Sequence, residues 1–205
     1  MGNRAFIYPA KGKTKKKLGV YLHWNGGPDS VIPLIKYCKI RGFRSFSDGY
    51  GLARLATVMG NFFGGTLSLG IEYAYPDCVD VNHTPYAITD DWEIANIEEY
   101  RLNDGDYPTD KEVLEMLQEI NNAQPEKDRV PLEFLTSTEQ PSLKGIKVGQ
   151  KVIYLDPVTE EYKTATVAAL DPDGVPRLKL YDSPFCPWNE NRNNRLDGYK
   201  FRLVK

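Results

Sequence analysis

The sequence predicts an α+β protein, in which a mainly antiparallel sheet with two or three helices is followed by a small β-barrel. In the first part of the chain, short apolar runs that suit strands alternate with longer segments whose apolar residues recur at helical spacing. After residue 142, short strand-like runs are separated by turn-forming residues, which is typical of a small antiparallel barrel. The chain has 205 residues and is 41% hydrophobic, so it is long enough to bury a core without disulfides or metal ions.

The first two strands are predicted to form a hairpin. Residues 4–10 and 18–24 are short apolar and aromatic runs, and residues 11–17 between them contain five lysines. A turn between two such runs indicates antiparallel pairing. The hairpin therefore carries a lysine-rich tip.

Three helices are expected from capping residues and apolar spacing. Asp29 or Ser30 can cap the first helix, and Gly42 suits its end. The second helix covers residues 50–63, and Thr109 caps the third. The apolar faces of the first and third helices contain Val31, Leu34, Ile35, Cys38, Val113, Leu114, Leu117 and Ile120.

Three more strands are expected before residue 100. Residues 66–73 alternate well enough for one strand. Residues 86–89 and 92–97 are predicted to be two more, joined by a tight turn at Asp90-Asp91.

The composition changes between residues 123 and 142. Prolines and turn-forming clusters there replace periodic apolar residues. We therefore predict an α+β domain over residues 1–122, a linker over 123–142 and a second domain over 143–205.

The second domain contains four predicted strands, at residues 146–154, 163–170, 177–181 and 199–204. Its opening, Val148-Gly149-Gln150-Lys151-Val152, together with the later short strands, resembles the SH3-like barrels. Many barrels of this type bind peptides or nucleic acid, but the fold by itself assigns no function to the domain.

A glycine-rich corner after the second strand is the candidate binding site. Gly26 and Gly27 allow a ligand to approach the backbone, and the helix that follows offers unpaired N–H groups. Asn25 adds an amide, and Arg54 could contact an anion with two hydrogen bonds. The predicted anion site consists of Lys15, Lys16, Lys17, Asn25, Gly26, Gly27 and Arg54. A plain turn between a strand and a helix is the alternative interpretation of this corner.

Two other chemistries are weighed. His23 could serve as a general base with an acid from the middle segment, which would make the protein a small hydrolase. The carboxylates of that segment are interpreted as a solvated face rather than a metal site, so neither a metal ion nor another cofactor is expected. These carboxylates are Asp77, Asp80, Asp90, Asp91 and Glu93.

The second domain could instead bind nucleic acid, because aromatic residues there are interleaved with basic ones. These aromatic residues are Tyr154, Tyr162, Tyr181, Phe185, Trp188 and Tyr199. A groove for a peptide, or an ordinary barrel core, would give the same pattern.

Charge is distributed unevenly along the chain. Residues 1–60 hold 11 Lys+Arg against 2 Asp+Glu, residues 61–140 hold 4 against 18, and residues 141–205 hold 11 against 8. Either the basic and acidic segments fold together and cancel, or the basic surface steers an anionic partner. Three widely spaced cysteines imply no disulfide framework, and no apolar run is long enough for a transmembrane helix.

Three segments resemble a family of uncharacterised proteins encoded by phages and prophages. They are Gly19-Val20-Tyr21-Leu22-His23-Trp24-Asn25-Gly26-Gly27, Tyr50-Gly51-Leu52-Ala53-Arg54-Leu55 and Asn61-Phe62-Phe63-Gly64-Gly65-Thr66-Leu67-Ser68. The resemblance covers roughly residues 4–100 and brings no known activity or catalytic residue with it. It implies a small phage accessory protein, a class that often inhibits host processes such as antiviral defence.

We therefore expect a binding protein rather than an enzyme, acting in the cytoplasm of the host cell. Its expected role is to sequester or block a host component. The expected partner is a host protein or a phosphate-containing small molecule, with nucleic acid as an alternative and no membrane association.

Overall fold

A computed structural model of the protein describes residues 3–12, 14–76, 83–98, 107–136, 141–156, 159, 161–179 and 195–204. It confirms the α+β class, with helices and two sheets in which antiparallel pairs predominate. The chain divides into two compact units, Met1–Val130 and Pro131–Lys205. This division falls within the predicted linker, while the predicted domain bounds themselves stay a prediction.

The first unit contains a four-stranded sheet in the order β3-β2-β1-β4. The strands are β1 (Arg4–Pro9), β2 (Lys17–Leu22), β3 (Leu69–Ala74) and β4 (His83–Ile88). β1 and β2 pair antiparallel, which confirms the predicted hairpin, and β3 continues the antiparallel order. β4 lies parallel to β1, so β1 occupies the interior of the sheet.

The register decides which side chains share a face of this sheet. Ile7 lies opposite Val20, and Val20 lies opposite Ile71, so these three side chains point to the same side. Ile7 and Val20 are fully buried, whereas Ile71 on β3 is exposed. This face of the sheet is therefore buried at Ile7 on β1 and Val20 on β2 but exposed at Ile71 on β3.

Among the described residues, the sheet is accompanied by the helices α1 (Pro28–Arg41), α2 (Gly49–Phe62) and α3 (Asp110–Ala123). α1 ends at Gly42 in the left-handed conformation, with φ at 71°, as the sequence predicts. α3 begins with the predicted cap: Thr109 and Glu112 form a reciprocal capping box. α1 packs against α3, and α2 packs against β2 and β3.

The predicted N-cap of α1 was wrong by two or three residues. Gly27 is the N-cap, and Pro28 takes the first helical position, where the missing N–H removes no helical bond. The Asp29 carboxylate accepts a 2.9 Å hydrogen bond from the backbone N–H of Ser30. It thus satisfies a backbone donor from inside the first turn rather than from the residue before it.

The predicted strand over residues 92–97 is not formed. Trp92 adopts a positive φ of 63°, which ends any extended run at its start. Its buried indole N–H donates to the backbone carbonyl oxygens of Phe43 and Arg44, at 3.1 Å each. The predicted turn at Asp90-Asp91 does form, closed by the Trp92 N–H bond to the Thr89 carbonyl oxygen (3.2 Å), but the antiparallel pairing after it is limited to an isolated bridge between Ile88 and Ile94. The tryptophan instead anchors the loop before α2.

The segment predicted as a linker is folded where the structure describes it. Gln124, just after α3, is buried and donates from its amide to the carbonyl oxygens of Val58 (3.3 Å) and Ile120 (2.9 Å). A 3-10 turn at Glu126–Asp128 and the short helix α4 (Leu132–Leu135) follow. Proline-rich composition here reflects tight turns rather than an extended tie, and residues 137–140 lie outside the described residues.

The second unit contains an antiparallel sheet in the order β7-β6-β5-β8. Its strands are β5 (Lys151–Leu155), β6 (Tyr162–Leu170), β7 (Pro176–Lys179) and β8 (Phe201–Leu203). A 3-10 turn at Leu196–Gly198 precedes β8. The core consists of Ile146, Val152, Tyr154, Ala165, Val167, Leu178, Leu196 and Phe201. The four predicted strands are thus confirmed in outline, and closure into an SH3-like barrel stays a prediction.

Candidate functional site

The glycine corner before α1 is closed by internal hydrogen bonds. The Gly26 N–H donates to the Asn3 carbonyl oxygen (2.8 Å), and the Gly26 carbonyl oxygen accepts from the Tyr86 hydroxyl (3.1 Å). The N–H groups of Ser30 and Val31 donate to the Gly27 carbonyl oxygen at 3.1 and 2.9 Å. Gly26 and Gly27 are themselves buried. The corner is therefore tied to β1 and β4, as in a plain connection between a strand and a helix.

The lysines of the predicted anion site lie at the other end of β2. The Lys17 ammonium donates to the Gly12 carbonyl oxygen at 3.2 Å, within the hairpin tip. The Lys16 ammonium stands 5.4 Å from the ring centre of Tyr73 and 5.2 Å from that of Tyr75. Lys15 is exposed at the same tip.

The length of β2 separates these lysines from the glycine corner. The five residue steps from Lys17 to Leu22 span about 16 Å at the usual rise of an extended strand. Asn25, Gly26 and Gly27 follow beyond Leu22. The structure keeps Asn25-Gly26-Gly27 together and Lys15-Lys16-Lys17 together, but it does not bring the two groups to one ligand.

Arg54, the seventh residue of the predicted site, lies on α2 and contacts the ring of Phe43, which precedes that helix. Its guanidinium lies 5.6 Å from the ring centre of Phe43, and the guanidinium of Arg41 lies at the same distance from that ring. Nearby, Arg44 stands over Tyr50 at 4.9 Å and forms an ion pair with Asp48 at 2.6 Å. These arginines form an aromatic-packed patch, and Arg54 takes part in it rather than in the glycine corner.

His23 lies at the end of β2 beside other rings. Its Nδ1 is 2.9 Å from the Tyr21 hydroxyl, and its ring meets Trp24 edge-on at 4.8 Å between centres. Asp90 follows β4, whose Ile88 lies opposite Pro9 at the far end of β1. His23 sits near Ala5 instead, since Ala5 pairs with Leu22. The described acids after β4 are thus at the opposite end of the sheet from the histidine, and Asp77 and Asp80 lie outside the described residues.

A polar cluster surrounds Asp90 at that far end. Its carboxylate accepts hydrogen bonds from the hydroxyls of Ser47 (2.6 Å) and Ser45 (2.8 Å) and from the Lys11 ammonium (3.1 Å). These bonds lower the pKa of Asp90 to about 2, and the bond from Ser47 makes the largest contribution. A carboxylate that holds a proton so weakly is a poor general base. The cluster instead connects the loop before α2 to the end of β4.

Three described cations of the second unit, Lys163, Arg177 and Arg195, form ion pairs with carboxylates. Arg195 bonds Asp171 (3.0 Å), Asp173 (2.9 Å) and Asp197 (3.0 Å), and Arg177 also bonds Asp171. The aromatic residues predicted to bind nucleic acid pack on neighbours: Tyr199 meets Tyr154 edge-on, and Tyr162 packs against Phe134. Tyr181, Phe185 and Trp188 lie outside the described residues.

An apolar surface on β3 was missed by the sequence interpretation. We call it the β3 surface, and it consists of Leu18, Ile71, Tyr73 and Tyr75, each exposed by 46–55%. Leu18 lies opposite Tyr73 in the register, and residues 71, 73 and 75 alternate onto the same side. Four large apolar side chains are thus contiguous and in contact with solvent.

The two outer strands of the sheet differ in how they are protected. Along β4, the Asn96 side chain accepts from the Ala87 N–H (3.0 Å) and donates to the Pro85 carbonyl oxygen (2.9 Å). The Ala95 N–H adds a 2.7 Å bond to the Ala87 carbonyl oxygen. β3 pairs with β2 alone among the described strands. One edge of the sheet is therefore covered by its own chain, whereas no described strand covers the other.

The alternation that predicts strand 66–73 was the signal that could have revealed this surface. It shows that one side of the strand is apolar, but it does not show which residues cover that side. Val20 and Leu22 are fully buried, whereas Leu18, Ile71 and Tyr73 are about half exposed. Only the structure supplies that boundary.

Two further features are absent from the described residues. These residues contain no group of three His, Cys, Asp or Glu side chains placed to hold a metal ion. They also contain no helix with the length and apolar character needed to cross a membrane. Comparisons of the chain with protein families, with curated proteins and with solved structures find no match.

Proposed function

We propose that this protein is a non-enzymatic binding protein of a phage or prophage, which docks a host protein on the β3 surface and blocks it. The exposed apolar side chains on β3, which pairs only with β2 among the strands that the structure describes, carry the proposal. Contiguous apolar patches of this kind are typical of protein-interaction sites. A component of antiviral defence in the host cytoplasm is the target that the phage resemblance favours.

A binding role is favoured over hydrolysis by the positions of the titratable groups. His23 and the described acids after β4 lie at opposite ends of the sheet. The pKa of Asp90 is too low for a general base at neutral pH. A protein partner is favoured over a phosphate compound because the lysines and the glycine corner lie at opposite ends of β2.

The proposal is tested by capture of host proteins with matched variants. Immobilised wild type is compared with the double variant Ile71→Ser, Tyr73→Ser in a bacterial lysate, and bound proteins are quantified by mass spectrometry. The control is Val148→Ser, Tyr50→Ser, because Val148 and Tyr50 are exposed by 58% and 64%, close to the residues they match. Circular dichroism checks that all three proteins are folded.

We expect at least one host protein to be retained by wild type and control and to be lost with the β3 variant. Replacing half-exposed side chains costs little folding stability, on the order of 0.5 kcal/mol, so the loss would report binding. Identical sets of captured proteins for all three would contradict the proposal.

A further inference from the structure

We infer that β3 accepts an extended, acidic segment of the partner as a fifth strand of the sheet. This deepens the proposed function, on which it rests, by naming the mode of binding and the chemistry of the segment. Strand addition uses backbone hydrogen bonds for affinity and alternate side chains for specificity. The described residues supply outward backbone groups and an apolar row of side chains, together with a preference for one sign of charge.

The backbone register leaves two residues of β3 directed outward. The His23 N–H donates to the Ser68 carbonyl oxygen at 2.9 Å, which marks the pair as a hydrogen-bonded one. Such pairs recur at every second residue of an antiparallel ladder, so Gly70 and Glu72 also bond toward β2. The N–H and C=O groups of Ile71 and Tyr73 therefore point away from the sheet.

The same two residues carry the exposed side chains. Ile71 and Tyr73 lie on one side of the strand, flanked by Leu18 on β2 and by Tyr75 just beyond the end of β3. An added strand that bonds to the backbone of Ile71 and Tyr73 would lay alternate side chains along this apolar row. Backbone donors and apolar contacts thus coincide at one place.

The lysines of the hairpin tip set the charge of the segment. Lys17 lies opposite Ala74 in the register, which places the tip beside the last residues of β3. Lys16 stands over Tyr73 and Tyr75, and Lys15 is exposed next to it. Glu72, the acidic residue of β3, points to the opposite side. The apolar row therefore has a positive border, which favours carboxylates in the incoming segment.

Natural edge strands are commonly protected by lysines, prolines, bulges or a covering loop. β4 has such a cover in Ala95 and Asn96, whereas β3 pairs with β2 residue for residue over Leu69–Ala74. The lysines beside β3 belong to the hairpin tip, so they border the edge without interrupting its backbone. The geometry thus assigns the added strand to β3 and not to β4.

Synthetic peptides test the mode and the chemistry. The probe is a fluorescent peptide of about eight residues in which valine alternates with glutamate, long enough to pair along β3. Its comparators replace glutamate by lysine or by serine, and a fourth peptide has its central amides N-methylated. Anisotropy titrations use the full chain, Lys15→Glu, Lys16→Glu, and the control Lys144→Glu, Lys147→Glu, which changes two exposed lysines of the second unit.

We expect the glutamate peptide to bind at least tenfold more tightly than the lysine and N-methylated peptides. The Lys15→Glu, Lys16→Glu variant should lose that preference, and the control should keep it. Absence of binding by the glutamate peptide up to ~1 mM, or equal binding of the N-methylated peptide, would overturn strand addition. Equal binding of the lysine peptide would overturn the charge assignment.

Hydrogen exchange measured by NMR locates the added strand. The Ile71 and Tyr73 amides should exchange quickly in the free protein and become protected on addition of the glutamate peptide. The Gly70 and Glu72 amides, bonded toward β2, should be protected in both states. Protection of Ile71 and Tyr73 without peptide, in a dimer that the Ile71→Ser, Tyr73→Ser variant dissociates, would assign the edge to a second copy of the chain.

These experiments separate the inference from the function beneath it. If the Ile71→Ser, Tyr73→Ser variant loses host-protein capture but the wild type binds no peptide, the docking surface is supported and strand addition is rejected. Capture that does not depend on those residues would reject the docking surface itself.

Discussion

The buried hydroxyl of Tyr37 on α1 donates a 3.0 Å hydrogen bond to Oδ1 of Asn121 on α3. The same Oδ1 accepts from the Val130 N–H (2.7 Å), and the Asn121 amide donates to the Val130 carbonyl oxygen (2.9 Å). One asparagine thus satisfies three buried polar groups. It joins two helices to the last residue of the first compact unit.

Replacing Asn121 by alanine should therefore destabilise the protein by about 3 kcal/mol, because three buried groups lose their partner together. Asn122→Ala on the exposed side of α3 is the matched control, with an expected change within about 0.5 kcal/mol. Urea unfolding followed by circular dichroism measures both. Equal midpoints for the two variants would show that the buried network contributes nothing.

Gly26→Ala should destabilise the fold strongly, because a Cβ there would lie 2.5 Å from the Ala5 backbone nitrogen and 2.8 Å from the Ala5 Cβ. β1 would have to move, at a cost of about 2 kcal/mol or more. At Gly49, by contrast, an added Cβ meets no atom within 4 Å, and alanine should stabilise α2 by about 0.5 kcal/mol. Thermal unfolding compares the two variants; a neutral Gly26→Ala would contradict the close approach.

The Asp90 cluster should give the protein a pH-dependent contribution to stability. The folded pKa of about 2 lies below the ordinary value of 3.8, so the carboxylate stabilises the fold above pH 3.8. That contribution is lost as the pH falls from 3.8 through about 2. The difference in Tm between wild type and Asp90→Asn should shrink over the same interval.

Carbon-detected NMR titration checks the cause of that shift. Ser47→Ala should raise the pKa of Asp90, because the Ser47 hydroxyl makes the largest contribution to lowering it. A titration midpoint near 3.8 in the wild type would rule out the hydrogen bonds as they stand.

Arg195→Gln should raise the pKa values of Asp173 and Asp197 toward their ordinary range, because hydrogen bonds from Arg195 are the main cause of their depression. Arg177→Gln is the control, since Arg177 bonds Asp171 and should leave both of those pKa values unchanged. The loss of Tm in Arg195→Gln should also be smaller at high salt, where exposed ion pairs are screened. NMR titration measures the two pKa values, and thermal unfolding at two salt concentrations measures the loss of Tm.

The elements with strong local signals could be predicted from the sequence. Thr109 and Glu112 specify the start of α3, and Gly42 specifies the end of α1, because both rest on contacts within a few residues. The segment after β4 was predicted only in part: the turn at Asp90-Asp91 forms, but the strand after it does not. Trp92 bonds instead to carbonyl oxygens almost 50 residues earlier. Distant contacts of this kind leave no trace in local periodicity.

The candidate site was harder to predict for a related reason. Lys15, Lys16 and Lys17 are close to Asn25, Gly26 and Gly27 in sequence, and the strand between them holds the two groups apart. Lys16 meets instead Tyr73 and Tyr75, which lie on another strand. Proximity along a chain favours proximity in space only where the chain turns back, and β2 runs straight.

The parallel pairing of β1 with β4 constrains the order in which the first unit can assemble. Arg4 lies opposite His83, so the inner strand waits for a partner made 79 residues later. During synthesis at about 5–20 residues per second, several seconds pass in which the hairpin has emerged and its second neighbour has not. Folding of this unit is therefore expected to be slow for its size, and a nascent chain would expose β1 to chaperones until the ribosome has passed β4.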